Sequence, residues 1–250
     1  MIRAMIFDLD GTLVDTEPRH FAAFNRALAP LGIVISRADY YARLIGYDDR
    51  GCFEIVLTER RGRPSASEIE ELIRRKSEVY QEMVEGGELL YPGAFEFVRR
   101  CAARFPLALA TGTLAHEAEF ILARTGLRES FVAIVAAEHV LSGKPSAAPF
   151  VAALERLNAA LRARPPAASR LAAELRPPSA GGPAIAAGQC LAIEDSVAGV
   201  VAARTAGMKV LALTHTASRA DLADAHLVCD GFAAVELKQI LREFADDAEA

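Results

Sequence analysis

Two hydrophobic rhythms divide this chain. Short apolar runs fall at residues 3–8, 107–110, 131–136, 191–193, 209–213 and 227–228. Runs of this length, bounded by turn residues, predict buried strands. Between them apolar residues return every three or four positions, as over 92–104, 114–124 and 146–163, which predicts a helix trailing each strand. Strands alternating with helices predict a parallel sheet covered on both faces.

The stretch 16–88 carries only the helical rhythm. Thr16-Glu17-Pro18 starts a helix with proline in its first turn, Phe21, Phe24, Leu28 and Leu31 form its stripe, and Gly32 ends it. Ser36 and Asp39 have capping-box spacing, and Gly46 closes the helix that follows. Ser65 and Glu68 open another, whose stripe from Ile69 through Leu72, Tyr80 and Val84 stops at Gly86-Gly87. The predicted fold class is therefore α/β, a doubly wound parallel sheet over 1–15 and 89–250, with an all-helical cap domain inserted at 16–88. Arg162 to Gly188 is rich in Ala, Pro and Gly and reads as a flexible, solvated insertion with a short helix at Ala168–Leu175.

Composition narrows the partners. With 250 residues and 52% apolar content the chain can bury a large core. A net charge of −5 and no long basic run argue against nucleic acid, whereas a small anionic metabolite stays compatible. Cys52, Cys101, Cys190 and Cys229 are scattered, which predicts idle thiols in a reducing compartment rather than disulfides or a zinc site. No apolar stretch is long enough to span a membrane. The first strand begins almost at Met1, leaving no room for a signal peptide, so a cytoplasmic location is expected. Oligomeric state is not legible.

The chemistry lies at strand ends. The first run ends in Asp8-Leu9-Asp10-Gly11-Thr12. Strand alternation puts Asp8 and Asp10 on one side at the carboxyl end, where open α/β sheets bind ligands. Two carboxylates there repel unless a cation lies between them, and Mg²⁺ suits oxygen ligands. Thr111-Gly112 follows the second run and offers a hydroxyl and backbone N–H groups to phosphoryl oxygens. Lys144 lies between Gly143 and Pro145. Glu194-Asp195-Ser196 follows the run 191–193, three residues before Gly199; Asp or Ser here would also cap a helix.

These segments resemble the four motifs of the haloacid dehalogenase superfamily: D-x-D-G-T-L, a strand-end Ser or Thr, G-K-P, and E-D-S-x-x-G. The likeness covers nearly the whole chain and extends to the subfamily with a helical cap after the first motif. The resemblance implies that Asp8 attacks phosphorus to form an aspartyl phosphate and that Asp10 acts as acid and then base. It further implies that Thr111, Gly112 and Lys144 hold phosphate, and that Asp8, Asp10, Glu194 and Asp195 form the Mg²⁺ site. Phosphoglycolate and sugar-phosphate phosphatases are the relatives it suggests. From the cap, His20, Gly46 and Arg50 are the candidate substrate contacts, Arg50 for an anionic group. A β-phosphoglucomutase-like mutase would share the core motifs, but it carries a lysine before the cap glycine, where this chain has Ile45. A true dehalogenase would lack Asp10. A non-catalytic binding protein on this scaffold would have lost one of Asp8, Asp10, Lys144 or Asp195.

Overall fold

A computed structural model describes residues 1–85, 88–163 and 184–246. Six parallel strands form one sheet: β1 (Ala4–Phe7), β2 (Leu107–Ala110), β3 (Phe131–Val135), β4 (Cys190–Glu194), β5 (Lys209–Leu213) and β6 (Leu227–Cys229). Their order is β3-β2-β1-β4-β5-β6. β1 pairs with β2 through Met5–Leu107 and with β4 through Met5–Leu191. The order reverses between β1 and β4, and the crevice at such a switch point is where doubly wound sheets take ligands.

Alternation along the strands makes two unlike faces. Met5 and Phe7, Leu107 and Leu109, Leu191 and Ile193, and Leu211 and Leu213 point to one side. There they meet Phe97 of α5 (Ala94–Ala102), Ile121 of α6 (Ala115–Arg124) and Ile240 of α9 (Leu237–Asp246). The opposite face is lined by small residues, Ala4, Ala108, Ala110, Ala192 and Ala212. Helices α7 (Ala148–Ala163) and α8 (Val197–Thr205) cover it with Phe150, Leu157 and Val200.

The helical stretch contains α1 (Glu17–Leu28), α2 (Arg37–Asp39) running into a π turn at Tyr40–Leu44, α3 (Asp49–Arg61) and α4 (Ala66–Val84). It buries its own core of Phe24, Leu28, Tyr40, Phe53, Leu57, Ile69 and Leu72. Its caps follow sequence logic: Ser36 accepts from the Asp39 N–H at 3.0 Å, Asp48 from Gly51 at 2.7 Å and Ser65 from Glu68 at 3.2 Å. The two chain crossings into this stretch are tied together. Asp15 N–H donates to the Leu89 carbonyl at 2.8 Å, and Tyr91 N–H to that of Leu13 at 3.0 Å.

One expectation is corrected. β5 is not followed by a helix: residues 214–226 form turns, with Leu222 the deeply buried anchor, before β6 pairs directly with β5. A segment with one buried apolar residue has no stripe to dock a helix. Gly86-Gly87 and most of the expected insertion, including Ala168–Leu175, lie outside the described residues.

Candidate active site

The carboxyl ends of β1 and β4 bring the acidic groups together. Asp8 follows β1, and its N–H donates to the Ile193 carbonyl at 3.0 Å, so the two strand ends are in register. Carboxylate oxygens of Asp8, Glu194 and Asp195 lie within 4.8 Å of one another, all buried. Lys144 Nζ reaches Asp8 Oδ1 at 2.6 Å and also binds Glu194 Oε1. Two of the three carboxylates thus share one ammonium, and Asp195 lies beside them without reaching it. Burial pushes the Asp8 carboxyl up to about 8, with Lys144 opposing and Glu194 adding to the shift. Burial together with Glu194 and Asp8 raises Asp195 well above the carboxylate range. Burial alone would lower Lys144, but Asp8 and Glu194 raise it instead. A donor set of buried oxygens with more negative than positive charge fits a hard divalent cation such as Mg²⁺.

The Asp195 and Glu194 carboxylates are held from behind. Thr12 Oγ1 donates to Asp195 Oδ1 at 2.5 Å, and the Thr216 hydroxyl binds Oδ2. Glu194 Oε2 accepts from the Asp195 N–H at 3.0 Å and the Ser196 N–H at 3.2 Å. Ser196 also caps α8 by accepting from Gly199 at 3.0 Å, so its capping and site roles coincide. Gly199 is required sterically: a Cβ there would lie on the Glu194 carboxylate. Gly11, at φ 78°, would likewise drive a Cβ into Asp195.

Asp10 faces the other way, and its carboxylate is not part of the three-carboxylate cluster expected to include it. Its Oδ1 lies 3.1 Å from His20 Nε2 and 3.4 Å from the Tyr80 hydroxyl, and accepts from Thr16; Oδ2 accepts from Thr113. The His20 ring stacks on Tyr80 with centroids 4.1 Å apart. Burial would raise the Asp10 carboxyl, but His20 and the hydroxyls of Thr113 and Thr16 together hold it well below the carboxylate range. The side chain turns away because four donors outside the cluster claim it.

A cavity of about 40 Å³ joins these groups, bounded by Asp8, Asp10, Thr111, Lys144 and the helical stretch. The Thr111 hydroxyl accepts from Thr113 N–H at 3.1 Å, leaving its proton available to a phosphoryl oxygen. The loop Gly46–Asp48 lies across the core. A Cβ on Gly46 would come within 2.5 Å of Ser196 Oγ, and one on Gly112 within 3.2 Å of Asp48 Cα. Gly46, Gly112 and His20 line the cavity. Arg50 does not: it is exposed and lines a separate cavity with Glu70 and Arg74. It follows Asp49 by one helical step of about 100°, so Asp49 turning inward carries Arg50 out.

Sequence reading passed over Thr12, Thr113, Tyr80, Glu17, Tyr40, Asp49 and Lys76. Lys76 had a signal, since it sits at helical spacing between Leu72 and Tyr80 on the buried stripe of α4. Thr12 and Thr113 sit inside motifs already noted.

A buried acidic cluster at the switch point of a parallel α/β sheet, with a lysine braced against it, suits chemistry on a phosphate group beside a divalent cation. The family model for haloacid dehalogenase-like hydrolases matches residues 2–207, and the chain belongs to that family. It is 32% identical over 230 residues to protein CbbY of Rhodobacter capsulatus, covering 88% of each chain. It is 29% identical over 204 residues to fructose-1-phosphate phosphatase YqaB of Escherichia coli, covering 82% of this chain and 92% of that one. Its fold matches the crystal structure of β-phosphoglucomutase from Clostridium difficile with a TM-score of 0.82 over 100% of both chains, at 20% identity. The protein is an enzyme, a phosphoric monoester hydrolase of this family.

Proposed function

We propose that this protein is a Mg²⁺-dependent phosphatase for a small phosphorylated metabolite, a sugar phosphate or phosphoglycolate, working through an aspartyl phosphate on Asp8. The observation that carries this reading is geometric: Asp8 lies with Glu194 and Asp195 against Lys144 on one side of the cavity, and Asp10, held by His20 and the hydroxyls of Thr16 and Thr113, lines the same cavity. One carboxylate beside a cation-binding cluster and a second ringed by proton-bearing groups are what a nucleophile and an acid–base residue need.

Asp8, Glu194 and Asp195 are the residues that would hold Mg²⁺. Bound there, it would neutralise the acidic cluster and the phosphate that approaches it. Thr111, the Gly112 backbone and Lys144 orient the phosphoryl oxygens. Asp8 Oδ attacks phosphorus as the bond to the leaving oxygen breaks, and the proton shared between His20 Nε2 and Asp10 Oδ1, 3.1 Å apart, passes through Asp10 to that oxygen. Asp10, now ionised, takes a proton from water, which attacks phosphorus and frees Asp8. His20, Thr16 and Thr113 hold Asp10 in place for both transfers. The helical stretch acts as a cap, since Gly46 and Asp48 cover the core loops.

The test is a panel of phosphoglycolate, hexose and pentose phosphates, bisphosphates and an aryl phosphate, assayed with Mg²⁺ and with excess chelator. Release of phosphate only with Mg²⁺ is the expected result. Full activity in chelator would overturn the reading.

A further inference from the structure

We propose that the cap selects substrates whose leaving group is uncharged and hydroxylated, and rejects those carrying a second phosphate or a carboxylate. This rests on the phosphatase reading and specifies the substrate of that same site. The cavity runs from Asp8 and Lys144 past Asp10 to a wall formed by α1, the π turn and the start of α3. The wall presents Glu17, Phe24, Tyr40, Tyr47 and Asp49. A leaving oxygen served by Asp10 places the rest of the substrate against it.

A second anion there would need an unpaired cation. Among the described residues, Lys144 is the one lysine or arginine lining the cavity, and Asp8 and Glu194 hold its ammonium. His20 is turned onto Asp10. Lys76 stands behind the wall, fully buried, with Nζ 2.9 Å from Asp49 Oδ1 and 4.7 Å from the centre of the Tyr80 ring. Asp49, not Lys76, reaches the cavity, so the cation is neutralised from the side that substrate occupies. Ile45 adds no charge to the neighbouring loop, and Arg50 lies on another surface.

What the wall does offer is hydrogen bonding and ring faces. Glu17 Oε2 accepts from the Tyr40 hydroxyl at 2.7 Å, and its other oxygen remains for a substrate hydroxyl. Burial raises the Glu17 carboxyl, with His20 and Tyr40 opposing. Ionised or protonated, it binds a hydroxyl and gives a phosphate or carboxylate no counter-charge. Phe24 and Tyr47 present apolar ring surface to the C–H face of a carbohydrate. These features fit a polyol or sugar monophosphate. A bisphosphate would put its second phosphate beside Glu17 and Asp49, a like-charge contact.

The experiment compares fructose 1-phosphate with fructose 1,6-bisphosphate in Mg²⁺, with an aryl phosphate as reference. The monophosphate is expected to exceed the bisphosphate in kcat/KM by at least about tenfold, and Asp49→Asn to narrow that ratio about tenfold by releasing Lys76. Calorimetric titration of Asp8→Asn, which lacks the nucleophile, reads the same preference as a ratio of Kd values. That measurement decides the matter even where Asp49→Asn does not fold. A bisphosphate bound or turned over as well as the monophosphate overturns the inference and leaves the phosphatase reading intact. Failure to hydrolyse even the aryl phosphate in Mg²⁺ overturns the phosphatase reading, and the Kd ratio still decides selectivity.

Discussion

Asp8 and Asp10 are two residues apart and equally buried, yet their neighbours push them in opposite directions. Burial and Glu194 lift Asp8 to about 8 against the pull of Lys144, while His20 and two threonine hydroxyls carry Asp10 the other way despite its burial. Linkage turns the first shift into a prediction. A carboxyl raised on folding binds more protons in the native state, so the stability it contributes is complete below its ordinary value near 3.8 and is lost as pH rises through about 8. Mg²⁺ competes with that proton and should stabilise the protein more at pH 8 than at pH 5, measured as the shift in Tm on adding Mg²⁺ at each pH. A shift independent of pH would separate the metal from Asp8. For Asp10 the expected outcomes concern turnover. Asp10→Asn should cost roughly 10²–10⁴ in kcat, the usual worth of general acid–base help. Removing His20 lets the Asp10 carboxyl rise. His20→Ala should also lower kcat, because the group that holds and protonates Asp10 is gone, with a smaller loss on an activated aryl phosphate whose leaving group needs no proton.

At the scale of elements, much of the fold was legible because its signals are local. β2 covers Leu107–Ala110 as the apolar run indicates, and α4 begins at Ala66 after its Ser65 cap. The helix expected after β5 failed because one buried leucine cannot define a face. In the site, Asp8, Glu194 and Asp195 converge because each ends or follows a strand at the switch point. The turn of Asp10 onto His20 could not be read, since it depends on Tyr80 and Thr113 arriving from α4 and from the loop after β2. Arg50 was misplaced for a similar reason: Lys76, on another helix, draws Asp49 inward. The glycine after the fourth motif has a physical reason that spacing alone did not supply, the approach of α8 to the Glu194 carboxylate. Gly199→Ala should destabilise the protein by about 1–3 kcal/mol through that overlap and weaken Mg²⁺ binding, read by denaturant titration and calorimetry. Retention of both would show that α8 can shift without disturbing the cluster.

Across the molecule, the helical stretch rests on the core loops where Gly46 meets Ser196 and Asp48 meets Gly112 and Gly143. Opening of the helical stretch away from the core loops is the expected route for substrate entry and product release. The paired crossings at Asp15–Leu89 and Leu13–Tyr91 are where such a motion would pivot. A Cβ on Gly143 would lie 3.2 Å from that of Asp48, near the spacing a disulfide spans. The double variant Asp48→Cys and Gly143→Cys should lose turnover on oxidation and recover it with reductant. Turnover unchanged by oxidation, with the crosslink verified by mass, would mean that the cap need not open.

On the proposed mechanism, phosphate passes through a covalent bond to Asp8. Acid quenching during steady turnover of a sugar phosphate in Mg²⁺, followed by intact-mass and peptide analysis, tests it directly. One added phosphoryl group is expected on the peptide bearing Asp8, absent in chelator and absent in Asp8→Asn. Substantial turnover by Asp8→Asn, or a phosphoryl group found on another residue, would contradict it.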